Sequence, residues 1–126
     1  MGNPIREVTN TDEPCHILQP WSFDNDDDSG KVLAKAGDGQ ALRTLRGIIT
    51  AAFDVGTLAI GKTGSTSAYM SALNLVGLPV GTVFEVPGLL VEFTDDTEII
   101  ATLVGNPTTG NIDGEIGFHE EFDAAR

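Results

Sequence analysis

The sequence predicts an all-β fold: a small antiparallel β-sandwich or barrel of the jelly-roll kind, with one short helix and an extended N-terminal arm. Three observations lead to this fold class. The β-branched residues Thr, Val and Ile number 31 of 126, and such side chains fit a pleated sheet. Gly and Pro number 21, and they supply the tight turns that join short strands. A chain of this length forms one hydrophobic core and not two.

The first forty residues differ from the rest. We predict that residues 1–40 form an extended arm, with a pair of short edge strands as the alternative, and that residues 41–126 form the β-sandwich domain. The arm is polar and contains three of the six prolines. Its apolar side chains are isolated, and alone they bury too little surface to offset the entropy of ordering the segment. We therefore predict that these side chains bind a partner: Ile17, Leu18, Trp21 and Phe23.

From residue 42 onward, short stretches of alternating or β-branched residues predict strands separated by turns. The predicted strands are residues 43–53, 57–60, 83–86, 89–93, 97–104 and 115–122. Ser65–Asn74 is predicted to form the one helix. A serine or threonine at positions 65–67 can cap it, and Tyr69, Leu73 and Val76 recur at helical spacing.

The charge of the chain excludes two classes of partner. There are 19 acidic residues against 7 Lys and Arg, a net charge of −12, and residues 63–125 contain no Lys or Arg. Phosphate backbones and anionic membrane surfaces are bound through Lys and Arg. We therefore expect no nucleic acid and no membrane among the partners. Such a charge favours a solvent-facing position or a basic protein surface.

One segment matches the pattern of a phosphate-binding loop. Residues 56–63 read Gly-Thr-Leu-Ala-Ile-Gly-Lys-Thr. However, Leu58 and Ile60 alternate as in a strand, and Gly64 stands where the helix that binds the phosphates should begin. We interpret the segment as a strand followed by a turn, and we expect no cofactor.

An acidic segment before residue 30 carries the candidate calcium site. Asp24, Asp26 and Asp28 have the alternate spacing of a calcium-binding loop. Ser29 stands where that loop has its turn glycine, and Lys35 stands where it has a bidentate glutamate. A solvated acidic loop is the competing interpretation. Apart from this candidate we expect no metal.

No catalytic residues are predicted. The two histidines, His16 and His119, are far apart in the sequence, and no nucleophile elbow accompanies them. Cys15 and His16 are adjacent, so in a strand they would point to opposite faces. The single cysteine also excludes an internal disulfide. We therefore expect a protein that is not an enzyme.

The order of five segments resembles small β-rich structural proteins of tailed-bacteriophage virions, of the type that decorates or cements the head. The segments are residues 49–54, 58–61, 68–70, 95–103 and 107–116. The most characteristic part is Thr108-Thr109-Gly110, which follows an isoleucine-rich strand and precedes the last one.

This resemblance implies a function that the residues alone do not. It implies a non-enzymatic decoration (cement) protein that binds the outer surface of the phage head and stabilises the capsid lattice. Its partners would be the major capsid protein and further copies of itself, as a homotrimer. It would be made in the host cytoplasm and located on the capsid exterior of the virion. The alternative is a structural or receptor-binding β-sandwich module of the tail, neck or tail fibre.

Overall fold

The structure is a computed structural model, and it describes residues 16–120. This part of the chain contains strands and turns and no helix. The strands in chain order are β1 His16–Asp24, β2 Lys31–Ala36, β3 Gln40–Ala51, β4 Thr57–Lys62, β5 Ser65–Asn74, β6 Val83–Glu85, β7 Val91–Glu92, β8 Thr97–Val104 and β9 Asn111–Glu120.

The strands form two antiparallel sheets. The five-stranded sheet has the order β1-β9-β3-β6, and β7 also pairs with β3. The four-stranded sheet has the order β2-β8-β4-β5. Consecutive strands β1 and β2 lie in different sheets, so the turn between them carries the chain from one sheet to the other. The prediction of an all-β antiparallel fold is confirmed.

One hydrophobic core lies between the sheets, because alternate side chains of each strand point inward. In β3, Leu45 and Ile49 are buried, whereas Arg46 and Ile48 are exposed. The buried residues of both sheets form a single cluster, as in a β-sandwich. The largest fully buried side chains are Phe23, Phe118, Leu42, Leu45, Ile49, Leu58, Ile60, Leu75, Ile99, Ile112 and Ile116.

The predicted helix is wrong, because Ser65–Asn74 is strand β5. It pairs antiparallel with β4, with Lys62 opposite Ser65 and Ile60 opposite Met70. Register shifts interrupt this pairing, and the consecutive residues Tyr69 and Met70 are both buried. Bulges of this kind break the period-2 pattern, so the apolar spacing imitates that of a helix.

The prediction of an extended arm is also corrected for residues 16–40, while residues 1–15 lie outside the described part of the chain. Strand β1 pairs with β9 along its whole length, from His16 opposite His119 to Asp24 opposite Asn111. Trp21 and Phe23 alternate with Pro20 and exposed Ser22, and both rings are buried in the core. This period-2 alternation fits a strand that packs one face on the core.

Each outer edge of the two sheets has a feature that hinders pairing with another strand. Strand β1 contains Pro20, which has no N–H to donate. Strand β2 carries Lys31 and Lys35. Strand β5 is interrupted by its register shifts, and β6 and β7 are only three and two residues long.

Candidate interaction surfaces

The acidic segment forms a hydrogen-bonded turn between β1 and β2. The Asp24 carboxylate accepts the Asp26 N–H at 2.8 Å, and the Asp27 carboxylate accepts the Asp24 N–H at 2.9 Å. Within residues 16–120, no three His, Cys, Asp or Glu side chains are placed to hold a metal ion. The structure therefore does not bring Asp24, Asp26 and Asp28 together as the calcium ligands that their spacing suggests.

Lys31 connects this turn to both sheets. Its ammonium group donates to the Ser22 carbonyl of β1 at 2.7 Å and to the Asp27 carboxylate at 3.0 Å. Partial burial by itself would raise the pKa of Asp27, but the Asp24 N–H and Lys31 outweigh it and lower that pKa. The carboxylate is therefore charged at neutral pH and helps to hold β1 beside β2.

Strand β4 explains the match to a phosphate-binding loop. Thr57–Lys62 is a strand, and Leu58 and Ile60 are fully buried in the core. Gly64, at a φ of +85°, turns the chain directly into β5 instead of starting a helix. The helix N-terminus on which phosphate binding depends is therefore not formed by these residues.

Asp54 and the Thr-Thr-Gly motif form one hydrogen-bonded unit at the end of the sandwich. The Asp54 carboxylate accepts the Thr108 N–H at 2.9 Å and the Thr108 hydroxyl at 2.7 Å. The Thr109 hydroxyl donates to the Ala52 carbonyl at 3.0 Å. Hydrogen bonds from Thr108 hold the pKa of the Asp54 carboxyl below its ordinary value. These bonds fix the loop between β8 and β9 to the end of β3.

Gly110 completes this unit. Its φ is +140°, and the Phe53 ring occupies the space that a Cβ would need. A residue with a side chain would therefore push on a buried ring and also adopt an unfavourable backbone conformation. The motif that carried the family resemblance therefore joins two loops at one end of the sandwich.

The outer side of the five-stranded sheet is a charged face, which we define as Arg46, Ile48, Val83, Glu85, Asp113 and Glu115. Arg46 lies opposite Glu115 on one side and Glu85 on the other, and its Nε donates to Glu115 at 3.0 Å. A shallow depression of about 390 Å³ lies here. With one cation against three carboxylates, the charged face suits a basic protein surface.

The four predicted partner-binding residues divide into two pairs. Trp21 is only 6% exposed, and its ring covers Gly114 of β9, so Trp21 and the fully buried Phe23 belong to the core. Ile17 is 36% exposed and Leu18 is 49% exposed, so these two remain accessible at the start of β1. Sequence reasoning missed Asp54 as a structural residue, although it lies inside one of the segments that carried the resemblance.

No protein-family model matches the chain, and no curated protein matches it. Solved structures do match. A chain of the acidic stable capsid structure of Helicobacter pylori bacteriophage KHP30 has a TM-score of 0.65 at 10% identity, covering 82% of this chain and 86% of that chain. A chain of the cyanophage Pam1 capsid asymmetric unit has a TM-score of 0.61 at 15% identity, covering 93% of both.

A third match is a chain of the capsid of Ralstonia phage GP4, with a TM-score of 0.55 at 11% identity, covering 92% of this chain and 90% of that chain. The chain shares its fold with these three chains of phage capsid structures. At the level of fold, the resemblance to small β-rich phage virion proteins is thereby confirmed. Among residues 16–120 there is no helix that could span a membrane.

Proposed function

We propose that the protein is a non-enzymatic decoration (cement) protein of a tailed-phage head, which binds the outer surface of the capsid and stabilises its lattice. The observation that carries the proposal is the structural likeness to chains of three phage capsid structures. It extends over at least 82% of this chain and at least 86% of each matched chain. The likeness is therefore to whole small chains and not to one domain of a large subunit.

The proposed partner is the major capsid protein. A net charge of −12 favours a basic protein surface, and the charged face offers three carboxylates around one arginine. The same charge supports an exterior position, because packaged DNA would repel an acidic protein on the inner wall. Ile17 and Leu18, exposed at the start of β1, are the proposed apolar contacts to a neighbouring subunit.

Self-association is part of the proposal. The resemblance implies a homotrimer, and repeated copies on a lattice gain avidity, so that each single contact can have low affinity. No catalytic step is assigned to any residue.

The proposal is tested by counting copies in purified particles. Quantitative mass spectrometry should find the protein in tens to hundreds of copies per particle, the scale that lattice avidity requires. Surface biotinylation of Lys62 in intact particles should label the protein, because its ammonium group is exposed and the particle exterior is accessible to the reagent.

A few copies per particle would contradict decoration and support the tail, neck or tail-fibre module instead. Absence from particles would overturn both assignments. Many copies that remain unlabelled until the particles are opened would place the protein inside the shell and overturn the exterior position.

A further inference from the structure

The outer side of the four-stranded sheet differs in charge from the rest of this acidic protein. We call it the neutral face and define it by eight outward-facing residues of β2, β8 and β4. They are Val32, Lys35, Glu98, Ile100, Thr102, Val104, Thr57 and Ala59. Its one acid and one base, Glu98 and Lys35, lie opposite each other, with Nζ and Oε2 4.0 Å apart. The neutral face therefore has no net charge.

The apolar members of the neutral face are contiguous, because directly opposed residues of antiparallel strands share one face. Val32 lies opposite Ile100, and Ile100 lies opposite Gly61 on its other side. Thr102 lies opposite Ala59. Strand β5, which borders this face, has no charged residue in its ten positions.

The neutral face is open to solvent. Val104 is 70% exposed and Val32 is 40% exposed, and exposed Val55 lies beside Gly105 at the end of β8. Val32 lies opposite Ile100 and Val104 lies four residues further along β8, so the two exposed valines are spread along one sheet face. Exposed large apolar side chains that share a face are a feature of interaction surfaces. The charged face of the other sheet also has two exposed large apolar residues, Ile48 and Val83, so the two faces differ in charge and not in exposed apolar content.

The charge of the chain indicates which partner binds the neutral face. A chain with 19 acidic and 7 basic residues repels a second copy of itself wherever carboxylates would be opposed. On the neutral face this repulsion is absent, because its one carboxylate, Glu98, is balanced by Lys35, and Lys35 of one copy can lie against Glu98 of another. A basic partner would gain nothing there, since its complement is the charged face on the other side of the sandwich.

We propose that the neutral face is the surface through which one copy of this chain contacts another. This deepens the self-association in the proposed function, because it names the surface and leaves the charged face available for the shell. The number of copies follows from the mass measurement described below.

The area of the neutral face indicates how strongly two copies should associate through it. Three strands about 4.8 Å apart, with up to eight residues of about 3.3 Å each in β8, give a face of at most roughly 400 Å². A stable interface buries about 800 Å² on each partner. We therefore expect association that depends on protein concentration, with free monomer present in dilute solution.

The experiment compares two valine-to-lysine variants of the full chain by sedimentation velocity, from about 1 μM to about 1 mM, which spans a free-energy range of about 4 kcal/mol. Val104→Lys places a charge on the neutral face, and Val83→Lys places the same charge on the charged face at 62% exposure. Both variants change the net charge equally, so their difference reports the location of the contact. Thermal unfolding of both variants checks that each is folded.

We expect the wild-type mass to rise above 13.3 kDa with concentration. Val104→Lys should raise the midpoint concentration of association at least about tenfold, whereas Val83→Lys should leave it within about twofold. Lys35→Glu should weaken association because it opposes two acids on each copy. The exchange variant Lys35→Glu/Glu98→Lys should restore it, because the face is again neutral.

Three results would overturn the inference. The first is a wild-type protein that stays monomeric up to about 1 mM. The second is an equal effect of Val104→Lys and Val83→Lys on the midpoint of association. The third is a monomeric wild-type protein whose binding to particles is abolished by Val104→Lys, since the neutral face would then contact the shell. The copy number in particles is an independent measurement. If the protein is monomeric in solution but present in many copies on particles, only this inference is overturned. If it is oligomeric in solution but absent from particles, only the proposed function is overturned.

Discussion

Gly110 shows, at the scale of single residues, how close packing fixes residue type. Its φ of +140° disfavours any residue with a Cβ, and the Phe53 ring lies where that Cβ would be. Gly30 is a matched control, because its φ is +89° and no atom lies within 4 Å of its Cβ position. The two glycines separate the cost of the backbone conformation from the cost of a steric overlap.

We predict that Gly110→Ala lowers the free energy of unfolding by about 2–5 kcal/mol, the sum of backbone strain and overpacking. Gly30→Ala should lower it by only about 1 kcal/mol, because it introduces backbone strain alone. Chemical denaturation of both variants measures the difference. Equal losses in the two variants would show that Phe53 moves aside at no cost.

Asp54 acts at the same scale through its hydrogen bonds. We predict that Asp54→Ala lowers the Tm at neutral pH, because the Thr108 N–H and hydroxyl lose their acceptor. Asp95→Ala, which removes an exposed acid from the turn before β8, should change the Tm much less. Differential scanning calorimetry of the wild type and both variants tests this prediction.

The contribution of Asp54 depends on pH with a definite sign. Hydrogen bonds from Thr108 lower the pKa of Asp54 in the folded state from 3.8. Its contribution to stability is therefore fully present above the unfolded pKa and is lost as the pH falls through the folded pKa. The Tm difference between the wild type and Asp54→Ala should accordingly narrow below about pH 4. A gap that widens on acidification would contradict this assignment.

At the scale of elements, β1 is the strand whose role differs most from the prediction. Trp21 is buried against Gly114 and inside the common core. We predict that Trp21→Ala lowers the free energy of unfolding of the isolated protein by about 3–5 kcal/mol, as for large-to-small changes in a core. Leu18→Ala, in the same strand and 49% exposed, should change it by no more than about 0.5 kcal/mol.

Urea unfolding of both variants measures this difference. If Trp21→Ala leaves the midpoint and slope of unfolding unchanged, β1 does not belong to the cooperative unit. Resistance of β1 to limited proteolysis in the wild type provides an independent check.

The contrast between β3 and β5 shows what the sequence can predict about elements. In β3, Leu45 and Ile49 alternate with outward residues over a long run, so periodicity identifies the strand. In β5, bulges place Tyr69 and Met70 inside together, and no local signal tells such a pattern from one turn of a helix. For β1, an edge strand was only the alternative to an extended arm, because the strand β9 that pairs with it lies about ninety residues later in the sequence.

The interaction surfaces were less predictable than the strands. The charged face brings Arg46 together with Glu115, 69 positions later in the chain. The neutral face likewise assembles from three strands whose residues are individually ordinary. Composition indicated an acidic protein, but only the register shows that Glu85, Asp113 and Glu115 share the outer side of one sheet, while Glu98 of the other sheet lies opposite Lys35.

At the scale of the whole molecule, the net charge of −12 opposes compactness through self-repulsion. We predict that the Tm rises when salt is increased from about 10 mM to about 100 mM, because the Debye length falls from about 30 Å to about 10 Å. The exposed Arg46–Glu115 and Lys35–Glu98 pairs lose some attraction in salt, but such surface pairs contribute little.

Differential scanning calorimetry at both salt concentrations tests this balance. The variant Glu85→Gln/Asp113→Gln, which removes two charges from the charged face, should show a smaller salt-dependent gain. A Tm that falls with salt would mean that attractive ion pairs outweigh the repulsion.

The hindered sheet edges determine how association of this protein ends. A strand added to an open edge creates a new edge, so growth by that route has no natural limit and leads to fibrils. Here the proline of β1, the lysines of β2, the bulges of β5 and the shortness of β6 and β7 oppose that first addition. When copies associate through a sheet face, that face is buried in the contact and no new surface of the same kind is created. The expected product is thus a closed assembly of fixed size, even at the local concentrations of a crowded cell.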